Sequence, residues 1–76
     1  SQTDLARKNV LISGGNSGIG WACVRAFLDR NANVIYLDRQ TNRAEEALNS
    51  NEYLASQLGA VACELTNAQQ VADAVE

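Results

Sequence analysis

The stretch Ser13-Gly14-Gly15-Asn16-Ser17-Gly18-Ile19-Gly20 holds four of the five glycines in this chain. Glycine lets a backbone turn through positive φ and lets another group approach the main chain closely. Where such a turn leaves a buried strand and opens a helix, the first N–H groups of the helix and its partial positive charge can hold a phosphate or pyrophosphate. The glycines that set the spacing are Gly14, Gly18 and Gly20, so the strict GxGxxG pattern is absent. Ser13, Asn16 and Ser17 add small polar side chains that can hold the loop or offer donors. A glycine-rich turn that binds nothing has the same composition, so a second feature must decide. Asp38 is that feature, 18 residues after Gly20. An acid about 20 residues beyond such glycines, at the end of the next strand, can accept both hydroxyls of an adenosine ribose. Taken alone, Asp38 reads equally well as a solvated loop acid or a helix cap. In register with the turn and a crossover of the right length, it favours a nucleotide site.

The elements that must position these residues follow from periodicity. Asn9-Val10-Leu11-Ile12-Ser13 is a short apolar run ended by Gly14-Gly15, and reads as a strand buried on both faces. Ile19, Ala22, Cys23, Ala26 and Phe27 recur at helical spacing, which predicts a helix over about 17–30 with that stripe toward the core. Trp21, Val24 and Leu28 form a second apolar face on the same helix. Asn31 falls where a left-handed C-terminal residue is wanted. Val34 to Leu37 is a second buried strand ending at Asp38. Asn42 with Glu45 has capping-box spacing. Ala44, Ala47, Leu48, Leu54, Ala55 and Leu58 then predict a helix closed by Gly59, with Asn49-Ser50-Asn51 a weak point inside it. Ala60 to Glu64 reads as a third strand, and Thr66 with Gln69 opens a last helix. The order βαβαβα with short connections implies an α/β fold with parallel strands and right-handed crossovers.

Composition limits the rest. Seventy-six residues make at most one small domain, and 46% apolar with 20% charged is ordinary globular usage. No apolar run approaches the length that crosses a membrane. The first residues lack the pattern of a signal peptide. Residues 1–43 carry all six bases and three acids, a balance of +3. Residues 44–76 carry six acids and no base, a balance of −6, so the net charge is −3. That distribution argues against a nucleic-acid partner. Without histidine there is no His triad or His metal site in the chain. Cys23 and Cys63 sit in apolar runs outside any CxxC spacing, so buried free thiols are expected, consistent with a reducing, cytoplasmic setting.

Ser13-Gly-Gly-Asn-Ser-Gly-Ile-Gly20, then Trp21 to Asn31 and Asn33 to Arg39, resembles the opening of a short-chain dehydrogenase/reductase. That family's glycine motif is Thr-Gly-x-x-x-Gly-x-Gly, and Ser13 keeps the hydroxyl of its first residue. The likeness runs from Lys8 to Glu76. It implies half of a doubly wound Rossmann-type parallel sheet of strand order 3-2-1, flanked by helices on both faces, with residues 1–76 a truncated dinucleotide-binding domain. It implies NAD as cofactor, with the phosphate loop at Gly14, Asn16, Ser17, Gly18 and Gly20, and Ile19 near the nicotinamide. Asp38 and Arg39 would lie at the adenosine ribose. Glu64-Leu65 would lie at the adenine, where the family usually has Asp-Leu or Asp-Val. Asp38 would stand where a 2′-phosphate must go and so favour NAD(H). Arg39, which could pair with that phosphate, points the other way. The family's catalytic serine and Tyr-x-x-x-Lys are not matched: Tyr53 has Gln57 four residues on, and Lys8 is the only lysine. By itself the chain is therefore expected to turn over no alcohol or ketone.

The missing half of such a sheet would cover the open edge of Asn9–Ser13 and the flank of Trp21, Val24 and Leu28. Those surfaces predict a homodimer through the first strand and first helix. Two alternatives stay open beside the oxidoreductase reading. One is a non-catalytic module for nucleotide binding or self-assembly. The other is a different Rossmann-type nucleotide binder, such as a methyltransferase-like fold, which the glycine spacing disfavours.

Overall fold

A computed structural model describes residues 5–64. Strands β1 (Asn9–Ser13), β2 (Asn33–Asp38) and β3 (Leu58–Ala62) alternate with helices α1 (Gly18–Leu28) and α2 (Asn42–Asn49). The strands are parallel in the order β1-β2-β3, which is the expected 3-2-1 order seen from the other edge. Leu65 and the helix expected from Thr66 lie outside the described residues.

The register sets which side chains share a face. Val10 and Ile12 pair with Val34 and Tyr36, and these pair with Leu58 and Ala60. Trp21, Val24 and Leu28 of α1 and Ala44 and Ala47 of α2 pack on this one face, with Val34, Tyr36 and Leu58 at its centre. Two crossovers of the same hand, stepping in the same direction across the sheet, must put both helices on one side. Helices on both faces are thus not seen among the described residues. Leu11 and Ile35, partners on the opposite face, are 52% and 48% exposed. β1 accordingly alternates between half-buried and exposed positions, and is not buried on both faces as its composition suggests.

Helix α1 turns its other stripe inward. Trp21, Val24 and Leu28 are buried, while Ile19 is 84% exposed and Ala22, Cys23 and Ala26 face out. Both stripes are apolar and both fit a 3.6-residue period, so volume decides between them. Small side chains leave the space between helix and sheet unfilled, whereas Trp21 fills it. Its ring meets Tyr36 edge-on, with centroids 6.0 Å apart and planes at 76°. The flank expected to receive a second copy is therefore the domain's own core. What remains of that expectation is the edge of β1, which pairs only with β2 among the described residues. The thiols also depart from expectation: Cys23 is exposed, Cys63 is half-buried, and both are free.

Asn31 takes the left-handed conformation at φ 72°, as expected. Helix α2 ends at Asn49, and Asn51 turns the chain at φ 61°. Gly59 belongs to β3, which begins two residues earlier than expected. Leu58 explains the shift, since pairing with Val34 buries it in the core while Leu54 stays exposed. Arg25 on α1 meets Glu52 at 2.7 Å, and the Tyr53 hydroxyl donates to Asp29 Oδ1 at 2.8 Å. These contacts fasten the segment after α2 to the far end of α1. No described helix is long and apolar enough to cross a membrane.

Candidate dinucleotide site

The turn between β1 and α1 lies at the C-terminal ends of the strands. Gly14 adopts φ 74°, a conformation that favours glycine. Its N–H donates to the Leu37 carbonyl at 2.7 Å, which fastens the turn to the end of β2. Ser17 is the N-cap of α1: its Oγ accepts from the Gly20 N–H at 3.1 Å and donates to the Gly14 carbonyl at 2.9 Å. The glycines then separate by purpose. A Cβ on Gly20 would collide with the Gly14 carbonyl oxygen, and one on Gly15 would collide with the Tyr36 ring. Both are demanded by packing. A Cβ on Gly18 would meet nothing within 4 Å. Fold packing gives no reason for glycine there, and its bare backbone keeps the space above the first turn of α1 clear.

The N-terminal end of a helix dipole favours negative charge in that space. The first turn of α1 carries no acid, and none of the described hydrogen bonds uses the N–H groups of Gly18 and Ile19. Free N–H groups at the start of an 11-residue helix can hold an anion. Across from them stands Asp38 at the end of β2. Its Oδ2 accepts from the Asn16 N–H at 3.0 Å and its Oδ1 from the Gln40 N–H at 3.2 Å. Each oxygen keeps a lone pair for a further donor. Asn16, Ser17, Asp38, Arg39 and Gln40 line an open cleft of about 250 Å³.

The fold thus brings together Gly14, Asn16, Ser17, Gly18, Gly20, Asp38 and Arg39, and places Ile19 exposed at the start of α1. The Cys63 N–H donates to the Asp38 carbonyl at 2.9 Å, so the chain after β3 runs beside the end of β2. Glu64 stands there with its carboxylate 4.0 Å from the Arg39 guanidinium, both exposed. A contact that long between solvated groups contributes little. Sequence reasoning missed Tyr36, Asn42 and Arg43. Asn16 Nδ2 donates to Asn42 Oδ1 at 2.9 Å, and Arg43 Nε donates to the Asn16 carbonyl at 2.8 Å. A tyrosine inside a buried strand was the available signal, because its hydroxyl must find a partner. A larger hollow of about 530 Å³ lies toward the other end of the strands, walled by Asn9, Leu11, Asn33, Ile35 and Gln57. Its lining among the described residues is uncharged, and it lies away from the glycine turn and Asp38.

A parallel sheet with a glycine turn feeding a helix N-terminus, and an acid closing the second strand, is a Rossmann-like α/β arrangement. Comparison with known proteins makes the class specific. The profile of the short chain dehydrogenase family matches residues 8–76. The chain belongs to the short-chain dehydrogenase/reductase family. It is 38% identical over 71 residues to the short chain dehydrogenase/reductase dpchG of Colletotrichum higginsianum, covering 93% of this chain and 26% of that protein. Among solved structures it is similar to an NADPH-bound short chain oxidoreductase of Pseudomonas aeruginosa, with TM-score 0.77, 32% identity, 92% of this chain and 28% of that one. It is also similar to 4-hydroxyisoleucine dehydrogenase complexed with NADH, with TM-score 0.71, 33% identity, 91% of this chain and 27% of that one. The chain thus spans about a quarter of the length of these relatives.

Proposed function

We propose that this chain holds a nicotinamide dinucleotide for a short-chain oxidoreductase, with NAD(H) preferred to NADP(H). The observation that carries the reading is the Asp38 carboxylate, fixed by two backbone N–H groups opposite the open first turn of α1. The donor set fits the group. The N–H groups of Gly18 and Ile19 would take the pyrophosphate, the missing Cβ of Gly18 lets it approach, and Asp38 would accept from the adenosine ribose. When bound, the nicotinamide supplies hydride transfer.

The preference follows from charge. A 2′-phosphate at about 4 Å from Asp38 is repelled by up to about 4 kcal/mol at an effective dielectric near 20. Arg39, exposed in the same cleft, would offset part of that repulsion, while Arg43 has its Nε engaged on the Asn16 carbonyl. We assign the chain the cofactor and not the proton transfer. Both tyrosine hydroxyls are engaged in the fold, Tyr36 on Asn16 and Tyr53 on Asp29. The only lysine, Lys8, precedes β1. Calorimetric titration with NADH and NADPH tests the reading. Tighter NADH binding, with the preference lost in Asp38→Ala, supports it. Tighter NADPH binding, or a preference that survives Asp38→Ala, contradicts it.

A further inference from the structure

Helix α2 is capped by residues far away in sequence. Its N-cap residue is Thr41, not Asn42, and the Thr41 side chain caps no backbone N–H but donates its hydroxyl to the Glu45 side chain, at Oε2, at 2.7 Å. The Ala44 N–H donates to the Tyr36 hydroxyl at 3.0 Å, and the Arg43 N–H donates to Asn16 Oδ1 at 2.9 Å. The Tyr36 hydroxyl in turn donates to Asn16 Oδ1 at 2.9 Å. Asn16 thereby carries five hydrogen bonds: from Tyr36, from the N–H and Nε of Arg43, to Asn42, and from its own N–H to Asp38.

We propose that Tyr36 and Asn16 are positioning residues that hold the glycine turn in register with α2 and so fix the Asn16 N–H that orients the Asp38 carboxylate. Tyr36 is 0% exposed and its ring packs on Trp21 and against Gly15, so it acts on the site only through its hydroxyl. A phenol is protonated at neutral pH and burial raises its pKa further, so the hydroxyl stands as the donor to Asn16. The side chain of Asn16 is clamped on three partners, so its backbone N–H meets Asp38 in one fixed orientation. An acceptor held still discriminates ribose from ribose phosphate better than one that swings. The inference rests on the cofactor reading above and adds to it two residues and the route by which they act.

The test measures NADH and NADPH affinity by fluorescence titration, and the thermal midpoint, for the full chain, Tyr36→Phe, Asn16→Ala and the double variant. Tyr36→Phe keeps the ring that packs on Gly15 and removes only the hydroxyl. We expect NADH affinity to fall about five- to tenfold in each single variant, the scale of one lost hydrogen bond. NADPH affinity should fall less, so the NADH:NADPH ratio shrinks, and the double variant should lose no more than either single one. A purely structural role would lower the thermal midpoint without moving the ratio. Folded variants whose affinity and ratio stay within twofold of the unaltered chain overturn the inference alone. An unaltered chain that binds neither nucleotide overturns the cofactor reading and the inference together. Should Tyr36→Phe not fold, amide exchange in the unaltered chain decides: NADH should slow the Ala44 N–H more than the Leu48 N–H, and equal slowing overturns the inference.

Discussion

Gly18→Ala should raise the stability of this protein and lower its affinity for a dinucleotide. A Cβ there meets nothing within 4 Å, and Gly18 is the first residue of α1 with no positive φ to protect. Replacing a helical glycine by alanine stabilises by about 0.5–1 kcal/mol. For a domain this small, each kcal/mol moves the thermal midpoint by about 4–8 °C, so the free variant should melt about 2–8 °C higher. The same methyl group stands over the N–H groups of Gly18 and Ile19 and holds a phosphate off them. A hydrogen bond to a charged group contributes about 1.5–3 kcal/mol, so losing one weakens binding about tenfold to a hundredfold. Thermal melts with and without NADH show both effects in one experiment. At a concentration one hundred times its Kd, NADH stabilises the unaltered chain by about 2.7 kcal/mol and the variant by only about 0.4–1.4 kcal/mol. The order of melting should therefore reverse when NADH is added. An unchanged order refutes the assignment of the open space above Gly18 to the cofactor, and a lower melting point for the free variant refutes the packing analysis of this turn.

Gly20→Ala should do the opposite, because its Cβ would stand against the Gly14 carbonyl, 2.8 Å from the carbonyl carbon, where backbone cannot yield. Overpacking of this kind costs about 1–3 kcal/mol or more, read as a fall in the urea midpoint. Trp21→Ala should cost about 3–5 kcal/mol and leave the chain largely unfolded by circular dichroism, whereas Ile19→Ala, at an exposed site, should shift stability by no more than about 0.5 kcal/mol. Alkali should also destabilise the fold. Burial raises the pKa of Tyr36, and burial followed by the bond to Asp29 raises that of Tyr53. The folded chain thus keeps protons that the unfolded chain releases near pH 10, so the contribution is whole below about pH 10 and is lost as pH rises through the folded values. Urea midpoints between pH 8 and pH 11 should fall above pH 10, and more shallowly in Tyr36→Phe.

The sequence revealed the site's frame more readily than its interior. β1 matches its expected span, Ser17 opens α1, Asn31 turns with positive φ, and Asp38 ends β2. Each is marked by a local residue choice. The inward face of α1 was not legible, because Ile19-Ala22-Ala26 and Trp21-Val24-Leu28 are both apolar at helical spacing and only the volume against the sheet chooses between them. The start of β3 was hidden for a related reason: Leu54 and Leu58 continue the period of α2, and only the pairing of Leu58 with Val34 marks the latter as strand. Gly15 looked like any glycine of the turn until the Tyr36 ring was found beside it. The network around Asn16 joins residues 20 to 27 positions apart, and residue types alone do not say which hydroxyl reaches which amide.

A two-dimensional amide NMR titration of the chain with NADH tests the central claim most directly. The account predicts that the largest shifts fall on Gly18, Ile19 and Gly20, at the start of α1, and on Asp38. Shifts centred instead on Asn9, Asn33 and Gln57, around the hollow near the other end of the strands, would contradict it, as would a spectrum that NADH leaves unchanged.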